Sequence, residues 1–283
     1  MRTLVMVVVF CVSIQVVMAR EWAIAEPLLV DLRADDVVHS RNVEVWPNRG
    51  SLGDFTGSGR LVGVQLAGLP GVMFDGESWF DGPNSVPEIE GNSPRTIEVL
   101  CYNVSVASNE ETLVSWSHRD CPNGGFMAMS YGQNASWGAV SHWWADLGWE
   151  GSHSPAPAAH NWWYLVYTFN GTRAKVFVNG VLESSKDIAN VDTLGGNRIR
   201  IGCQNDSTGE PFGYFHFTGF ISEVRIHGNA LSDNDVLNNM DCIVEKYVGT
   251  DETLAYWRLD EGSGDVALDS MRARDPGIIT GAT

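Results

Sequence analysis

Positive charge is scarce in this sequence. The 283 residues include 18 Lys and Arg against 35 Asp and Glu, which gives a formal net charge of −17 at pH 7. A surface with this excess of carboxylates repels phosphate backbones and anionic lipid headgroups. The composition therefore argues against nucleic acid and anionic membranes as partners.

Long apolar runs are missing, except at the N-terminus. Residues 1–19 combine a basic start at Arg2 with an apolar run from Leu4 to Val17 and small residues before the end, which predicts a secretory signal peptide cut after Ala19. The alternative is a membrane anchor, but two polar residues interrupt the run and it is shorter than the roughly 20 apolar residues of a spanning helix. We therefore expect a secreted protein, either extracellular, periplasmic or attached at the cell surface.

Cysteine is also sparse, and no two cysteines have the C-x-x-C spacing of common zinc sites. Cys11 lies in the predicted signal peptide, so the mature chain keeps Cys101, Cys121, Cys203 and Cys242. In an oxidising compartment this even number allows disulfides, with three possible connectivities. We favour Cys101 with Cys121 because they flank a predicted pair of strands; buried free thiols are the alternative.

Common catalytic signatures are missing too. The sequence has no Gly-x-Ser-x-Gly nucleophile motif, and its histidines lack the spacing of metal-ligand pairs. The nearest local pair of carboxylates, Glu88 and Glu90, lies in a stretch rich in Pro and Gly, where a solvated turn is the simpler interpretation. We expect a protein without catalytic activity.

Strand and turn patterns fill most of the sequence. Residues 95–106 and 111–116 predict two paired strands joined by a polar turn. Residues 164–184 alternate apolar and polar side chains around two Asn-Gly dipeptides, which predict hairpin turns because both central residues of a type I′ turn have φ > 0. Short strands at this spacing predict an all-β sandwich or jelly roll. A capping box at Ser232 and Asp235 predicts one short helix that closes the sandwich, followed by a linker at residues 248–252.

These segments follow the order of a known family. Residues 161–184, 198–206 and 217–236 resemble the C-terminal half of a laminin-G-like, concanavalin A-like jelly-roll domain, with its Trp-led strand, Asn-Gly hairpin and Gly-aromatic-Ile-x-Glu-Val-Arg-Ile strand. The earlier Phe-Asp-Gly segment at residues 71–83 fits the same family. The resemblance covers residues 27–245 and implies a two-sheet antiparallel jelly roll with one short helix near its C-terminal end. We place this domain at residues 20–247.

The tail at residues 248–283 raises a second question. Residues 253–283 resemble the first strand and turn of the same family, and residues 254–261 echo residues 29–36 of this chain. Either a second, truncated repeat begins after a linker, or the tail adds a strand to the first domain. We favour the truncated repeat, because an isolated hairpin is at best marginally stable.

The resemblance also frames the function. Retaining glucan hydrolases of related jelly rolls carry Glu-x-Asp-x-x-Glu on one strand, and this chain lacks that pattern. Aromatic rings stack on sugar rings, and nearby polar groups bond the hydroxyls. We therefore predict a carbohydrate site that includes Trp143, Trp144, Trp149, Trp79 and His153. Trp149, set near two glycines, and one of the adjacent pair Trp143 and Trp144 are expected to be exposed, and the other of the pair to point into the core.

Calcium is the cofactor that the resemblance implies. Members of this family bind it at a loop rim, and hard cations take several oxygen ligands. The candidate ligands are Asp206, Asn205, Glu210 and Asp75, and an ordinary polar hairpin loop is the alternative interpretation.

Three functions follow from the sequence. We favour a secreted, non-catalytic module that binds polysaccharide or glycoprotein glycans, or that mediates adhesion beside neighbouring domains of a longer chain. The first alternative is a glycan-cleaving hydrolase or lyase whose carboxylates are dispersed in the sequence. The second is a structural interaction domain without affinity for sugar.

Overall fold

The computed structural model describes residues 20–106, 108–247, 266–267 and 277–278. In chain order these residues form β1 Leu28–Arg33, β2 Val45–Trp46, β3 Phe55–Ser58, β4 Val62–Leu66, β5 Leu69–Asp75, β6 Trp79–Asn84, β7 Arg95–Asn103, β8 Thr112–Trp116, β9 Met127–Ser130, β10 Val140–Ser141, β11 Trp162–Phe169, β12 Arg173–Val178, β13 Val181–Asp187, β14 Arg198–Ile201, β15 Thr218–His227, α1 Asp233–Tyr247, β16 Val266–Ala267 and β17 Gly277–Ile278. The predicted signal peptide, the predicted linker and most of the tail lie outside the described residues.

Two antiparallel sheets make up the domain. One has eight strands in the order β13-β12-β11-β7-β15-β5-β4, with β1 also paired to β15, and the other has seven in the order β10-β9-β8-β14-β6-β3-β2. Apolar side chains of both sheets fill the space between them, the largest being Trp46, Phe55, Phe74, Phe80, Trp116, Tyr131, Trp149, Tyr167 and Phe169. The predicted two-sheet jelly-roll sandwich is confirmed. In the tail, β16 pairs with β17, and the two interpretations of the tail stay predictions.

The hairpin of β11 and β12 follows the predicted alternation. Its apolar pairs, Leu165 with Val178, Tyr167 with Val176 and Phe169 with Ala174, all enter the core. The second Asn-Gly turn has φ of 48° at Asn179 and 81° at Gly180, as a type I′ turn requires. The first turn differs, because its Asn keeps a negative φ and instead accepts hydrogen bonds from the two residues that close the turn.

The predicted pairing of residues 95–106 with residues 111–116 is wrong. The first segment forms β7 in the eight-stranded sheet, and the second forms β8 in the seven-stranded sheet. Both strands are buried along almost their whole length, so their sequences lack the alternation that would reveal their partners. The polar turn between them is a crossing from one sheet to the other.

The disulfide prediction fails with that pairing. Cys101 lies in the core, whereas Cys121 packs beside Phe126 in a separate cluster. All four cysteines of the described residues, including Cys203 and Cys242, are buried free thiols. Burial raises the pKa of Cys242 to about 11, which keeps this thiol protonated at neutral pH.

The predicted capping box at the start of α1 is confirmed. Ser232 N donates to Asp235 Oδ2 at 3.0 Å, and Asp235 N donates to Ser232 Oγ at 3.2 Å. The helix runs for 15 residues, longer than the short helix that we predicted, and it covers the outer face of the eight-stranded sheet. This helix is not long and apolar enough to cross a membrane, and no other in the described part is either.

A buried polar network ties α1 to that sheet. Glu98 on β7 accepts from Asn239 Nδ2 at 3.1 Å, lies 2.6 Å from His227 Nε2 and accepts from the Tyr164 hydroxyl. Burial opposes the ionisation of Glu98, but the hydrogen bonds from His227 and Tyr164 and the charge of Arg225 together outweigh it and lower the pKa of the carboxyl. The helix is therefore held by a charged, fully enclosed carboxylate as well as by apolar packing.

The segment before β1 joins the same network. Arg20 forms an ion pair with Asp241 of α1 at 2.9 Å, and Ala23 exchanges two hydrogen bonds with the side chain of Asn239. The ring of Trp22 lies 3.7 Å from the guanidinium of Arg225 on β15. The first described residues and the helix thus share one outer face of the sandwich.

Candidate functional site

The outer face of the seven-stranded sheet lies on the other side of the sandwich. On β14, Ile199 enters the core, so Arg200 beside it points outward, and Ser115 on β8 is its partner in register. Ser115 Oγ donates to Cys203 O at 2.7 Å, and Arg200 Nη1 donates to Asn205 Oδ1 at 2.5 Å. The loop after β14 therefore folds back across this outer face.

Three loops bring aromatic side chains onto the face. They are residues 117–126 between β8 and β9, residues 142–146 after β10 and residues 203–217 between β14 and β15. Trp79, at the start of β6, contacts His216 of the third loop edge-on, with ring centroids 5.7 Å apart. We call their rings the aromatic patch, which consists of Trp79, Phe126, Trp143, Trp144, Phe212, Tyr214 and Phe215.

Arg119 lies at the centre of the aromatic patch. Its guanidinium is within 6 Å of four ring centroids, at 5.8 Å from Phe126, 5.2 Å from Trp143, 4.9 Å from Phe212 and 5.0 Å from Phe215. A guanidinium in this position is attracted to the negative faces of the rings. One cation thus links the loop after β8 to the two other loops.

A buried carboxylate balances that cation. Glu110 Oε2 accepts from Arg119 Nη1 at 3.1 Å and from Gln204 Nε2 at 2.7 Å. The second outward arginine is also paired, because Arg200 Nε donates to Asp81 Oδ1 at 2.6 Å. These two guanidinium groups are therefore committed within the protein, whereas Arg198, two positions before Arg200 on the same face of β14, is exposed and donates to Gly82 O at 3.4 Å.

The rings differ sharply in exposure. Phe126 and Trp143 are stacked, with centroids 4.8 Å apart, and Trp143 packs against the small buried cluster around Phe126. Trp144 is 82 % exposed and Tyr214 is 70 % exposed, the two most exposed large apolar side chains in the described part. One member of the Trp pair is exposed, as expected, but the other does not point into the core, because Trp143 is half-buried against Phe126 on the outer face.

The turn that carries the Trp pair has an unusual backbone. Val140 and Leu147 exchange backbone hydrogen bonds at 3.0 and 2.9 Å, and Trp143 and Trp144 at the tip have φ of 59° and 70°. The left-handed region costs a non-glycine residue roughly 1–2 kcal/mol. Glycine or asparagine would occupy these positions at lower cost, so two tryptophans here need an explanation other than turn formation.

His142 holds this turn from below. The fully buried ring lies 2.8 Å from Ala145 O through Nδ1 and 2.8 Å from the Tyr167 hydroxyl through Nε2, while its backbone N–H donates to Asp146 Oδ1 at 2.7 Å. Burial, with a smaller effect of the Arg95 charge, lowers the pKa of His142 to about 3. The neutral ring therefore donates a hydrogen bond from Nδ1 to Ala145 O and accepts one at Nε2 from the Tyr167 hydroxyl.

We expect His142 to make the fold sensitive to acid. Its folded pKa of about 3 lies below the ordinary value of 6.5, so its stabilising contribution is present above pH 6.5 and is lost as the pH falls towards 3, by about 1.4 kcal/mol for each pH unit. Urea unfolding of wild type and His142→Asn at pH 7, 6, 5 and 4 measures this slope. The variant should lose less stability per pH unit than wild type, whereas His39→Asn, at an exposed histidine, should retain the wild-type slope. Equal slopes in His142→Asn and wild type would contradict the assignment.

Trp149 is not exposed, contrary to the sequence-based expectation. It is 0 % exposed and belongs to the main core. Its glycine neighbours do not mark an open loop: a Cβ on Gly148 would lie 1.9 Å from Ala135 O, and one on Gly151 would lie 2.7 Å from the carboxyl carbon of Glu183. Both glycines are there because other parts of the chain approach closely.

His153 also lies outside the aromatic patch. Its backbone N–H and Nδ1 contact the two carboxylate oxygens of Glu183 on β13 at 2.7 and 3.0 Å, and its ring meets the edge of Trp163. These contacts fasten the loop before β11 to an edge strand of the eight-stranded sheet. The predicted carbohydrate residues are therefore brought together only in part, as Trp79, Trp143 and Trp144.

The predicted calcium ligands do not form one oxygen cluster. Asn205 is buried and its amide nitrogen donates to Ser117 O at 2.7 Å, while its oxygen accepts from Arg200. Asp206 Oδ1 accepts the backbone N–H groups of Thr208 and Glu210 and so closes its own turn; the Thr208 hydrogen bonds lower the pKa of Asp206. In the described ranges, no three His, Cys, Asp or Glu side chains are grouped to hold a metal.

Asp75 completes the predicted metal set and is likewise engaged locally. Its Oδ1 accepts the backbone N–H of Glu77 at 3.0 Å in the turn before β6. The polar-loop interpretation accounts for the contacts of Asn205, Asp206 and Asp75, Glu210 is exposed in the same loop, and calcium binding stays a prediction.

Sequence reasoning missed several residues of the patch. Arg119 looks like an ordinary charged loop residue, and its ring partners come from segments up to about a hundred positions away. The aromatic residues Phe212, Tyr214 and Phe215 were visible as three rings within four positions of a glycine-containing loop. Such density in a predicted loop is the signal that could have identified them.

Comparison with known proteins fits this architecture. A family model described as the concanavalin A-like lectin/glucanases superfamily matches residues 77–237. The chain belongs to this superfamily. All members of the aromatic patch lie inside the matched residues, and the laminin-G-like, concanavalin A-like resemblance is thereby confirmed. Among curated proteins, no sequence matches this chain.

Solved structures share the fold at low identity. Domain 4 of AbnA, a GH43 extracellular arabinanase from Geobacillus stearothermophilus in complex with arabinotriose, has a TM-score of 0.55 and 18 % identity, covering 75 % of this chain and 97 % of that domain. Trypanosoma rangeli sialidase in complex with 2,3-difluorosialic acid has a TM-score of 0.51 and 18 % identity, covering 80 % of this chain and 34 % of the sialidase. This chain thus spans about a third of the sialidase. Both likenesses concern the fold.

Proposed function

We propose that this protein is a secreted, non-catalytic module that binds carbohydrate on the aromatic patch. The observation that carries the proposal is Trp144, an indole that is 82 % exposed on a turn with φ of 70°. A ring in solvent contributes little to the core, and its backbone conformation is costly. Strained positions that stability does not explain are typical of ligand-binding sites.

The chemistry of the patch suits a sugar. The exposed faces of Trp144 and Tyr214 offer flat apolar surfaces for the C–H faces of a pyranose or furanose. The same loops expose Asn123, Ser207 and Thr208, whose side chains can bond hydroxyl groups. The arabinotriose complex of the arabinanase domain supports a sugar ligand for a domain of this shape.

The proposal of a non-catalytic role rests on the carboxylates. Glycoside hydrolysis uses two carboxylic groups on either side of the scissile bond. Glu110, the buried carboxylate of the patch, is bound to Arg119 and Gln204, and the Glu-x-Asp-x-x-Glu pattern is missing from the sequence. These observations favour binding over cleavage.

Trp144→Ala tests the site directly. We expect the variant to weaken glycan binding about 30-fold, because loss of a central Trp contact costs about 2 kcal/mol, and to change the melting temperature little, because the ring is exposed. A glycan array identifies a ligand, and titration calorimetry measures both proteins. Leu182→Ala, at an exposed position on β13, is the matched control and should bind like wild type. Unchanged binding by Trp144→Ala would contradict the site.

The rival functions give different results in the same assay. Release of reducing ends from the bound glycan by the wild-type protein would show an enzyme. Loss of binding in the presence of a chelator would show a calcium requirement. An array without any binding would favour a structural interaction domain.

A further inference from the structure

The charges around the aromatic patch indicate which glycans it accepts. We infer that the patch binds uncharged glycans and discriminates against those that carry carboxylate or sulfate groups. This inference rests on the proposed carbohydrate-binding function and concerns the same surface. It depends on which charged side chains near the patch form ion pairs within the protein, and on whether the remaining exposed charges are positive or negative.

The arginines closest to the aromatic rings are already bound to carboxylates of the protein. Recognition of an anionic sugar needs a guanidinium or ammonium group with free donors that face the ligand. Arg119 is the one Arg or Lys in the three loops of the patch, and it is bound to buried Glu110. Arg200, on the strand beneath, is bound to Asp81 and is itself buried. Arg198, on the same face of that strand, is exposed and donates to the backbone oxygen of Gly82 at 3.4 Å, but the exposed carboxylates around the patch outnumber it.

An anionic ligand would gain little by competing with Glu110 for Arg119. Glu110 is almost fully enclosed and accepts from Gln204 as well as from Arg119. Removing the guanidinium would leave that carboxylate buried without its cation, which is strongly unfavourable. The four rings around Arg119 also fix the side chain where it is. The cation therefore supports the platform instead of presenting its charge to a ligand.

Carboxylates are in excess on the exposed surface of the loops. Asp120 and Glu210 are exposed on the loops that carry the rings, and Asp75 and Glu77 are exposed in the turn before Trp79. The chain as a whole has a formal net charge of −17 at pH 7. A glycan with carboxylates or sulfates thus approaches a surface of its own sign, whereas a neutral glycan meets no such barrier.

The test uses matched pairs of polymers that differ in charge. The probes are methyl-esterified and de-esterified homogalacturonan, hydroxyethyl and carboxymethyl cellulose, and desialylated and sialylated N-glycans. We expect the anionic member of a bound pair to bind at least tenfold more weakly at 10 mM salt. The difference in affinity between the two members of a pair should narrow to within about threefold at 0.5 M salt, because the Debye length shortens from about 30 Å at 0.01 M to a few ångströms. Neutral binding should not depend on salt.

A charge variant separates repulsion from poor steric fit. Asp120→Asn combined with Glu210→Gln keeps side-chain size and removes two negative charges, so it should strengthen binding of the anionic member at 10 mM salt. Equal or tighter binding of the anionic form by wild type would overturn the inference while leaving the carbohydrate function intact. A gap that neither salt nor the charge variant changes would also overturn it. Failure of both members of every pair would instead contradict the proposed function itself.

Discussion

Trp149→Ala is expected to lower the free energy of unfolding by about 3–5 kcal/mol, the range found when a large buried ring is truncated. The ring is fully enclosed in the core between the two sheets, so its removal leaves a cavity that neighbouring side chains only partly fill. Urea unfolding monitored by circular dichroism measures the loss.

Trp144→Ala is the matched comparison for this experiment, since the two variants make the same chemical change at buried and exposed positions. It should alter stability by no more than about 0.5 kcal/mol. A small effect of Trp149→Ala, equal to that of Trp144→Ala, would show that the ring is not part of the core.

Glu98→Ala is expected to cost a similar amount, about 3–5 kcal/mol, because it removes one partner of a buried charged network. The carboxylate bonds His227, Asn239 and Tyr164, and all three side chains are buried or nearly so around it. Without it, Arg225 loses a neighbouring negative charge and α1 loses its polar anchor to β7. Chemical denaturation and the helical signal in circular dichroism report both effects.

Glu150→Ala controls for the loss of a negative charge, because Glu150 is exposed. It should leave stability within about 0.5 kcal/mol of wild type. Glu98→Gln is informative too: it retains side-chain size, so a loss as large as that of Glu98→Ala would assign the effect to the charge. A loss below about 1 kcal/mol in Glu98→Ala would mean that the network does not hold the helix.

The features predicted correctly from the sequence are those with local causes. The β11–β12 hairpin follows from alternation over a few residues and from an Asn-Gly pair at 179–180, both readable within one segment. The capping box at Ser232 spans four positions. By contrast, the partners of β7 and β8 depend on contacts between distant segments, and strands buried on both faces carry no alternation to reveal them.

The candidate site shows the same division. The pair Trp143 and Trp144 was predicted to contain one exposed ring because successive side chains of a strand point to opposite faces, whereas which of the two is exposed depends on the turn that the folded chain forms. Trp149 was misassigned because the sequence does not distinguish a glycine that permits close packing from a glycine in an open loop. Arg119 was missed because its role comes from four rings contributed by three loops, an arrangement that exists only after folding.

The position of the two boundaries of the domain, near residues 20 and 247, has a practical consequence. Residues 20–23 pack against the middle of α1, with Arg20 paired to Asp241, and both segments lie on the outer face of the eight-stranded sheet, whereas the aromatic patch covers the outer face of the other sheet. A fusion partner joined directly before residue 20 or directly after residue 247, or a solid support coupled there, would therefore leave the patch open to solvent. The same arrangement makes residues 20–247 a good subject for circular permutation, with a linker from residue 247 to residue 20 and new termini in an exposed turn such as that around Gly171.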